Sequence, residues 1–308
     1  MRILVYGAGG VGAFFGALLA RAGQDVEFVA RGAQLEAMRR DGLRIRSALI
    51  GDVHVPHVVV HARARDASMA DLVLVSVKTY QTQEILDDLS AVVGDTTVIV
   101  TLQNGVESDE VVASRFGWSR VVPATVYVGA TIDEPAVVTH QAPARLSFGA
   151  RDGFDATRLD GIAAVLATTG QRVQISTDIQ YERWRKLMWN ASFNTVTAVT
   201  MRGPAELLAL GETRALIRRI MQEVVEVARA HGIGLVDSDV DDHIRWTERA
   251  PSMRTSTMVD RSRGRTMEAD ALVGVIVRKG REAGVATPAC EAMYALMIAS
   301  DAPAAAGV

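Results

Sequence analysis

Short, largely β-branched apolar runs alternate with amphipathic stretches through the first half of the chain. The runs at 2–6, 26–30, 72–77 and 97–102 are mostly apolar, with apolar residues on both alternations rather than at every second position alone. That pattern predicts strands of a parallel sheet covered on both faces. Helical spacing holds over 11–22 and 80–92. Arg44 to Ser47 and Val53 to Val60 predict shorter strands, with Gly51-Asp52 as a turn. Val121 to Val128 is another apolar run, and Val137 to His140 with Leu146 to Gly149 predicts a hairpin that closes the domain. Past about residue 155 the period changes, and helices are expected over 155–169, 178–201, 205–231, 238–248, 266–284 and 289–299. Only Arg172 to Ile175 there reads as a strand, adding to the first domain or linking the two. The Ala/Pro/Gly tail from Ala302 to Val308 is expected to fray. The fold class is α/β: a doubly wound parallel sheet over 1–172, then an all-helical domain over 173–308.

The first loop narrows this. Apolar 2–6 leads into Gly7-Ala8-Gly9-Gly10-Val11-Gly12, then a helix, then a second strand. In that setting Gly-x-Gly-x-x-Gly is a dinucleotide-binding fingerprint, so the first domain reads as Rossmann-type. Gly7 permits the tight turn, Gly9 lets backbone approach a pyrophosphate, and Gly12 lets helix pack on strand. The helix N-terminus offers N–H groups and a positive dipole end to the phosphates. Arg31 lies 19 residues after Gly12, where an NAD-binding chain carries a carboxylate for the ribose 2′-hydroxyl. A guanidinium there suits a 2′-phosphate, and the nearest acid, Glu27, lies inside the strand. The reading is NADP(H); the bland alternative is a glycine turn that binds nothing beside a solvated arginine.

Composition changes the picture little. The 308 residues are 49% hydrophobic and 22% charged, a globular balance sized for about two domains. A net charge of −3 gives no general attraction to nucleic acid or anionic membrane. No stretch approaches the ~20 apolar residues that span a bilayer. Cys290 is the single cysteine, which reads as a small apolar filler in a reducing setting. A cytoplasmic protein without metal is expected.

The candidate chemistry falls in four places. Lys186, Asn190 and Asn194 are spaced i, i+4, i+8, so each step turns the helix by only ~40° and the three share a face. They form either a solvated stripe or the polar wall of a cleft. Lys78 in Ser76-Val77-Lys78 and Asn104 in Leu102-Gln103-Asn104-Gly105 end successive strands at the ligand edge of the sheet. Ser256, Asp260, Glu268 and Asp270 form a later group, in which Glu268-Ala-Asp270 also suits the acidic first turn of helix 266–284. Arg254, Arg261, Arg263 and Arg265 mark a loop that is either solvated or turned toward an anion.

Together these residues resemble the ketopantoate reductase (2-dehydropantoate 2-reductase) family over essentially the whole chain. The likeness runs through Gly7 to Gly12, Arg31, Lys78, Leu-Gln-Asn104-Gly, Lys186-Leu-Met-Trp-Asn190-Ala-Ser-Phe-Asn194, Ser256…Asp260…Glu268-Ala-Asp270 and Ala283-Gly-Val-Ala-Thr-Pro288. The resemblance implies NADPH-dependent reduction of a 2-oxo acid, 2-dehydropantoate, to the 2-hydroxy acid pantoate. It implies Lys186 as proton donor, with Asn104, Asn190, Asn194 and Ser256 holding substrate. Gly7, Ala8, Gly9, Gly10, Val11, Gly12, Arg31, Lys78, Asn104 and Ala130 would line the cofactor site, and Glu268 would close over it. The chain departs from the family pattern at Met267 and Ala269, where Thr and Ile are usual, and at Thr195, where Pro is common. These departures bear on which 2-oxo acid is used; the alternatives are another 2-oxo acid reductase or a non-catalytic NADP(H)-binding regulator. The apolar faces of 205–231 and 266–284 would serve a homodimer or the core equally well.

Overall fold

A computed structural model describes residues 1–249 and 254–301; the tail expected to fray lies outside them. The chain forms two compact units. The first comprises Met1–Asn104 and Ser108–Ile179; the second comprises Gly105–Glu107 and the described residues from Gln180 onward.

The first unit is built on one ten-stranded sheet. Its strands are β1 (Arg2–Tyr6), β2 (Asp25–Val29), β3 (Leu43–Ser47), β4 (Val53–Val55), β5 (Val59–His61), β6 (Ala70–Val75), β7 (Val93–Thr101), β8 (Val121–Glu134), β9 (Val137–Phe148) and β10 (Arg172–Ile175). They lie in the order β4-β3-β9-β8-β7-β6-β1-β2-β5, with β10 beside β9. All neighbours are parallel except β3 with β4 and β8 with β9. The helices are α1 (Gly10–Arg21), α2 (Gly32–Asp41), α3 (Thr82–Leu89), α4 (Ser108–Phe116) and α5 (Leu159–Ala167).

The continuous apolar runs now have their cause. Ile3 and Val5 enter one core with Phe14, Phe15, Leu18 and Phe28, while Leu4 and Tyr6 enter the other with Ile85, Leu89 and Val112. Both faces of β1 are therefore buried, so neither set of alternate positions is polar.

The structure corrects several boundaries. Val137 to Gly149 makes no hairpin of its own: it is the single twelve-residue strand β9, which pairs with β8. Its intervening residues pair across to β8, as Arg145 does with Tyr127 and Ala142 with Gly129. Val53 to Val60 is two strands, because Pro56 interrupts it. Arg172–Ile175 joins the first unit as β10, and the long C-terminal part of the second unit starts at Gln180.

The second unit is helical. It holds α6 (Ile179–Trp189), α7 (Thr195–Thr200), α8 (Pro204–Ala209), α9 (Gly211–Ala230), α10 (Asp237–Glu248), α11 (Ser256–Ser262), α12 (Val275–Ala283) and α13 (Pro288–Asp301). The expected helix 205–231 is broken at Leu210, whose backbone is extended. The expected helix 266–284 starts only at Ala269. The Arg-rich segment is no plain loop: it contains α11, and the Arg261 guanidinium donates to the carbonyls of Ala198 and Val199 at the end of α7. Apolar faces of α6, α9, α12 and α13 bury Leu187, Ile220, Val224, Ile276 and Met293 in one core. Cys290 is fully buried there, and burial is the main force that raises its thiol pKa well above the ordinary value.

Candidate active site

In the first unit, β1 delivers the glycine turn. Gly7 has φ +102°, and a Cβ on it would lie 2.8 Å from the Val77 nitrogen. A Cβ on Gly12 would fall 2.1 Å from the Gly7 oxygen and 2.2 Å from Ser76 Oγ, which itself donates to that oxygen at 2.6 Å. A Cβ on Gly10 would meet the Ala130 carbonyl at 2.2 Å, so Ala130 on β8 walls the start of α1. Gly9 differs: a Cβ there meets nothing within 4 Å. The tight positions thus lock the turn, and the open one leaves backbone exposed. The first N–H groups of α1 have no side-chain cap and, by helix geometry, no intrahelical acceptor. That combination fits a dinucleotide pyrophosphate.

Arg31 is the N-cap residue of α2, just past the tip of β2, and is exposed. Glu27 is half-buried within β2 and is engaged by His61 Nε2 at 2.6 Å and by the Ser68 N–H at 3.3 Å. Burial alone would raise its carboxyl pKa, but the bonds from Ser68 and His61 outweigh it and hold it below the ordinary value. The tip of β2 therefore presents a cation. Lys78 follows β6 and Asn104 follows β7, both half-buried. Ala8 is buried and Val11 half-buried within the turn.

In the second unit, α6 and α7 are joined by a π-helical segment, Asn190–Asn194. Over eight residues a straight α-helix would swing Asn194 ~80° away from Lys186. The wider π turn takes back part of that drift and keeps the file. In a π turn the carbonyls take i+5 partners, and side-chain hydroxyls add bonds to the same stretch of backbone. Ser192 Oγ donates to Met188 O at 2.9 Å, Thr195 Oγ1 to Ala191 O at 2.5 Å and Thr197 Oγ1 to Asn194 O at 3.2 Å. π segments of this kind concentrate at functional sites. Asn190 and Asn194 are buried, and Asn194 Oδ1 has no hydrogen-bond partner within the protein. A buried, unsatisfied carbonyl oxygen of this sort is costly unless a donor arrives.

Lys186 is partly exposed along its length. Burial of its ammonium brings the pKa down to about 8; the Glu268 carboxylate opposes that shift and Arg183 adds to it. Glu268 is buried one residue before the helix that begins at Ala269, so it lies outside the first turn where sequence had allowed it. A second π segment, Asp270–Gly274, follows and packs on the first. Ser256 is exposed as the first residue of α11, which packs against both α7 and the first π segment. Its neighbour Thr255 caps that helix and bonds Thr197 Oγ1 at 2.6 Å. Asp260 is buried, whereas Asp270 is exposed and accepts from Tyr294 at 2.6 Å and from Arg278 at 3.2 Å.

Sequence reading missed what holds the Lys186 file in place. The adjoining stripe of α6, Tyr181, Arg185 and Trp189, is laced to the i, i+4, i+8 stripe Asp239, His243 and Thr247 of α10. Tyr181 and Arg185 donate to Asp239 at 2.7 and 3.0 Å, His243 Nε2 meets the Arg185 carbonyl at 2.9 Å, and Trp189 donates to Thr247 at 2.9 Å. Burial, then the Arg185 charge, lowers His243 to a pKa of about 4, and because its partner is a carbonyl, Nε2 of the neutral ring carries the proton and donates.

Two family models match the chain: "Ketopantoate reductase PanE/ApbA" over residues 3–153 and its C-terminal counterpart over 178–300. The chain belongs to the ketopantoate reductase family. Like its relatives it is an oxidoreductase of the 2-oxo-acid reductase type. The chain is 32% identical to a 2-dehydropantoate 2-reductase of Mesorhizobium japonicum, with 96% of this chain and 97% of that one covered. Among solved structures, a 2-dehydropantoate 2-reductase from Geobacter metallireducens superposes with TM-score 0.93 at 32% identity, covering 97% and 100% of the two chains. D-mandelate dehydrogenase, solved with NADH and anilino(oxo)acetate, shares the fold at TM-score 0.91 and 22% identity, each chain covered to 98%. The ketopantoate reductase assignment thus spans both units, and no described helix is long and apolar enough to cross a membrane.

Proposed function

We propose that this protein reduces 2-dehydropantoate to pantoate with NADPH, a cytoplasmic step toward pantothenate and coenzyme A. The observation that carries the reading is the partly desolvated Lys186 ammonium in file with the buried amides Asn190 and Asn194. The backbone of Gly7 to Gly12 holds the pyrophosphate, Arg31 the 2′-phosphate, and Lys78, Asn104 and Ala130 flank the cofactor. When bound, the reduced nicotinamide supplies the hydride. Asn190, Asn194, Asn104 and Ser256 orient the 2-oxo acid, and the unsatisfied Asn194 Oδ1 suits a substrate hydroxyl donor. Lys186 stabilises charge on the carbonyl oxygen and then donates its proton there. Glu268 offsets part of the desolvation of Lys186, so the amine stays mostly charged at neutral pH. The family departures do not speak against 2-dehydropantoate. Thr195 is fully buried with its hydroxyl bonded to the helix backbone, and Met267 and Ala269 are packed in the core. The test is steady-state NADPH oxidation with 2-dehydropantoate, pyruvate, 2-oxoisovalerate and an aryl 2-oxo acid. The expected ranking puts 2-dehydropantoate first in kcat/KM. A preference for an aryl acid with NADH would overturn the assignment, and tight NADPH binding without turnover would mark a regulator instead.

A further inference from the structure

One residue outside every motif touches the glycine turn from the side. Gln34 stands at the third position of α2, three residues after Arg31. A glutamine at that position ordinarily folds back onto the N-cap backbone. Here it reaches outward instead, and both ends of its amide are engaged. Nε2 donates to the Ala8 carbonyl at 2.9 Å, and Oε1 accepts from the Ala136 N–H at 2.8 Å. Ala136 lies in the turn between β8 and β9 with φ +63°, a left-handed conformation that costs a non-glycine residue free energy. Its carbonyl accepts from the Arg44 N–H at 2.9 Å, so the turn is held from two sides.

The consequence lies at the next peptide. In a trans peptide the C=O and N–H point in opposite directions. Fixing the Ala8 carbonyl toward Gln34 therefore aims the Gly9 N–H away from it. Gly9 is the turn's open residue, where added side-chain atoms would meet nothing. The Gly7 and Ala8 N–H groups are already taken by the Val29 carbonyl at 3.1 and 3.2 Å. Gln34 also belongs to the first turn of α2, the helix capped by Arg31, so the same amide ties the arginine's helix to the glycine turn.

We propose that Gln34 is a positioning residue for dinucleotide selectivity: it aims the Gly9 N–H at the pyrophosphate and holds Arg31 at the spacing a 2′-phosphate needs. The inference rests on the nicotinamide-binding reading above. Loss of the strut perturbs the pyrophosphate contact for either dinucleotide and, for NADPH alone, the Arg31 contact as well.

The experiment is titration of NADPH and NADH by fluorescence into wild type, Gln34→Met and Gln34→Glu, with thermal unfolding of each. Gln34→Met removes both bonds without adding charge. NADPH affinity is expected to fall about tenfold and NADH affinity about threefold, since one lost hydrogen bond is worth about that much. If Gln34→Met unfolds, Gln34→Glu carries the test, because it keeps the acceptor for Ala136 and loses only the donor to Ala8. Its carboxylate should weaken both dinucleotides, NADPH more. A lowered melting temperature with the NADPH-to-NADH ratio unchanged would make Gln34 a purely structural residue and overturn the proposal. Wild type that binds neither dinucleotide would instead sink the reading on which the proposal rests.

Discussion

Replacing Glu268 by Gln should move the basic limb of the reductive pH profile to lower pH. Two influences lower the Lys186 pKa, burial and the Arg183 charge, and one raises it, the Glu268 carboxylate; the balance stands at about 8. With that value about nine-tenths of the amine is charged at pH 7, half at pH 8 and about one-tenth at pH 9. If the ammonium is the acid, kcat for reduction falls about tenfold between pH 7 and 9 in wild type. Removing the Glu268 carboxylate leaves only the two lowering influences. A displacement of about one unit, equivalent to ~1.4 kcal/mol, would cut the charged fraction at pH 8 from half to about a tenth. Activity at pH 8 would then drop about fivefold while activity at pH 6 held. The assay is stopped-flow hydride transfer at saturating NADPH and 2-dehydropantoate from pH 5.5 to 10. Oxidation of pantoate, which needs the neutral amine, should rise through the same pKa and shift the same way. A limb that stays in place in Glu268→Gln, or moves upward, would refute the coupling. Lys186→Ala with near wild-type turnover, instead of a loss of at least about a hundredfold, would refute the acid itself.

Three further outcomes are expected. Arg31→Ala should weaken NADPH by ~1.5–3 kcal/mol in calorimetric titration while leaving NADH nearly untouched, because only the 2′-phosphate contact is lost; equal losses would remove the 2′-phosphate role. Gly9→Ala should change melting by no more than ~0.5 kcal/mol, since its Cβ meets nothing, yet impair NADPH binding, whereas Gly12→Ala, 2.1 Å from the Gly7 oxygen, should damage both. Finally, His243 is buried and neutral with a pKa of about 4, below its ordinary 6.5. The unfolded chain takes up that proton first, so stability is intact above pH ~6.5 and falls by up to about 3 kcal/mol as pH drops toward 4. Melting curves across that window should show the loss, and His243→Gln should flatten it.

The amino-acid sequence by itself determined whatever depends on neighbours within a turn or a strand. Successive apolar residues in 2–6 and 72–77 specify strands buried on both faces, and the spacing of Gly7, Gly9 and Gly12 specifies a turn whose crowded positions exclude a Cβ. The file of Lys186, Asn190 and Asn194 was legible for the same reason, as was the cationic tip of β2 at Arg31. Tertiary structure alone decided what depends on distant partners. Residues 141–145 look like a break between two strands until β8 lies alongside and makes β9 continuous. The Glu27 carboxylate is taken up by His61, 34 residues on, and by the Ser68 N–H, partners that the β2 sequence does not announce. The π turn that keeps Asn194 in file, and the bonds from Tyr181 and Trp189 to partners 58 residues away, leave no periodic trace in either segment. A period reports which face a residue shares. It does not report which group meets it there, and only the folded chain brings burial, Glu268 and Arg183 to bear on the Lys186 amine.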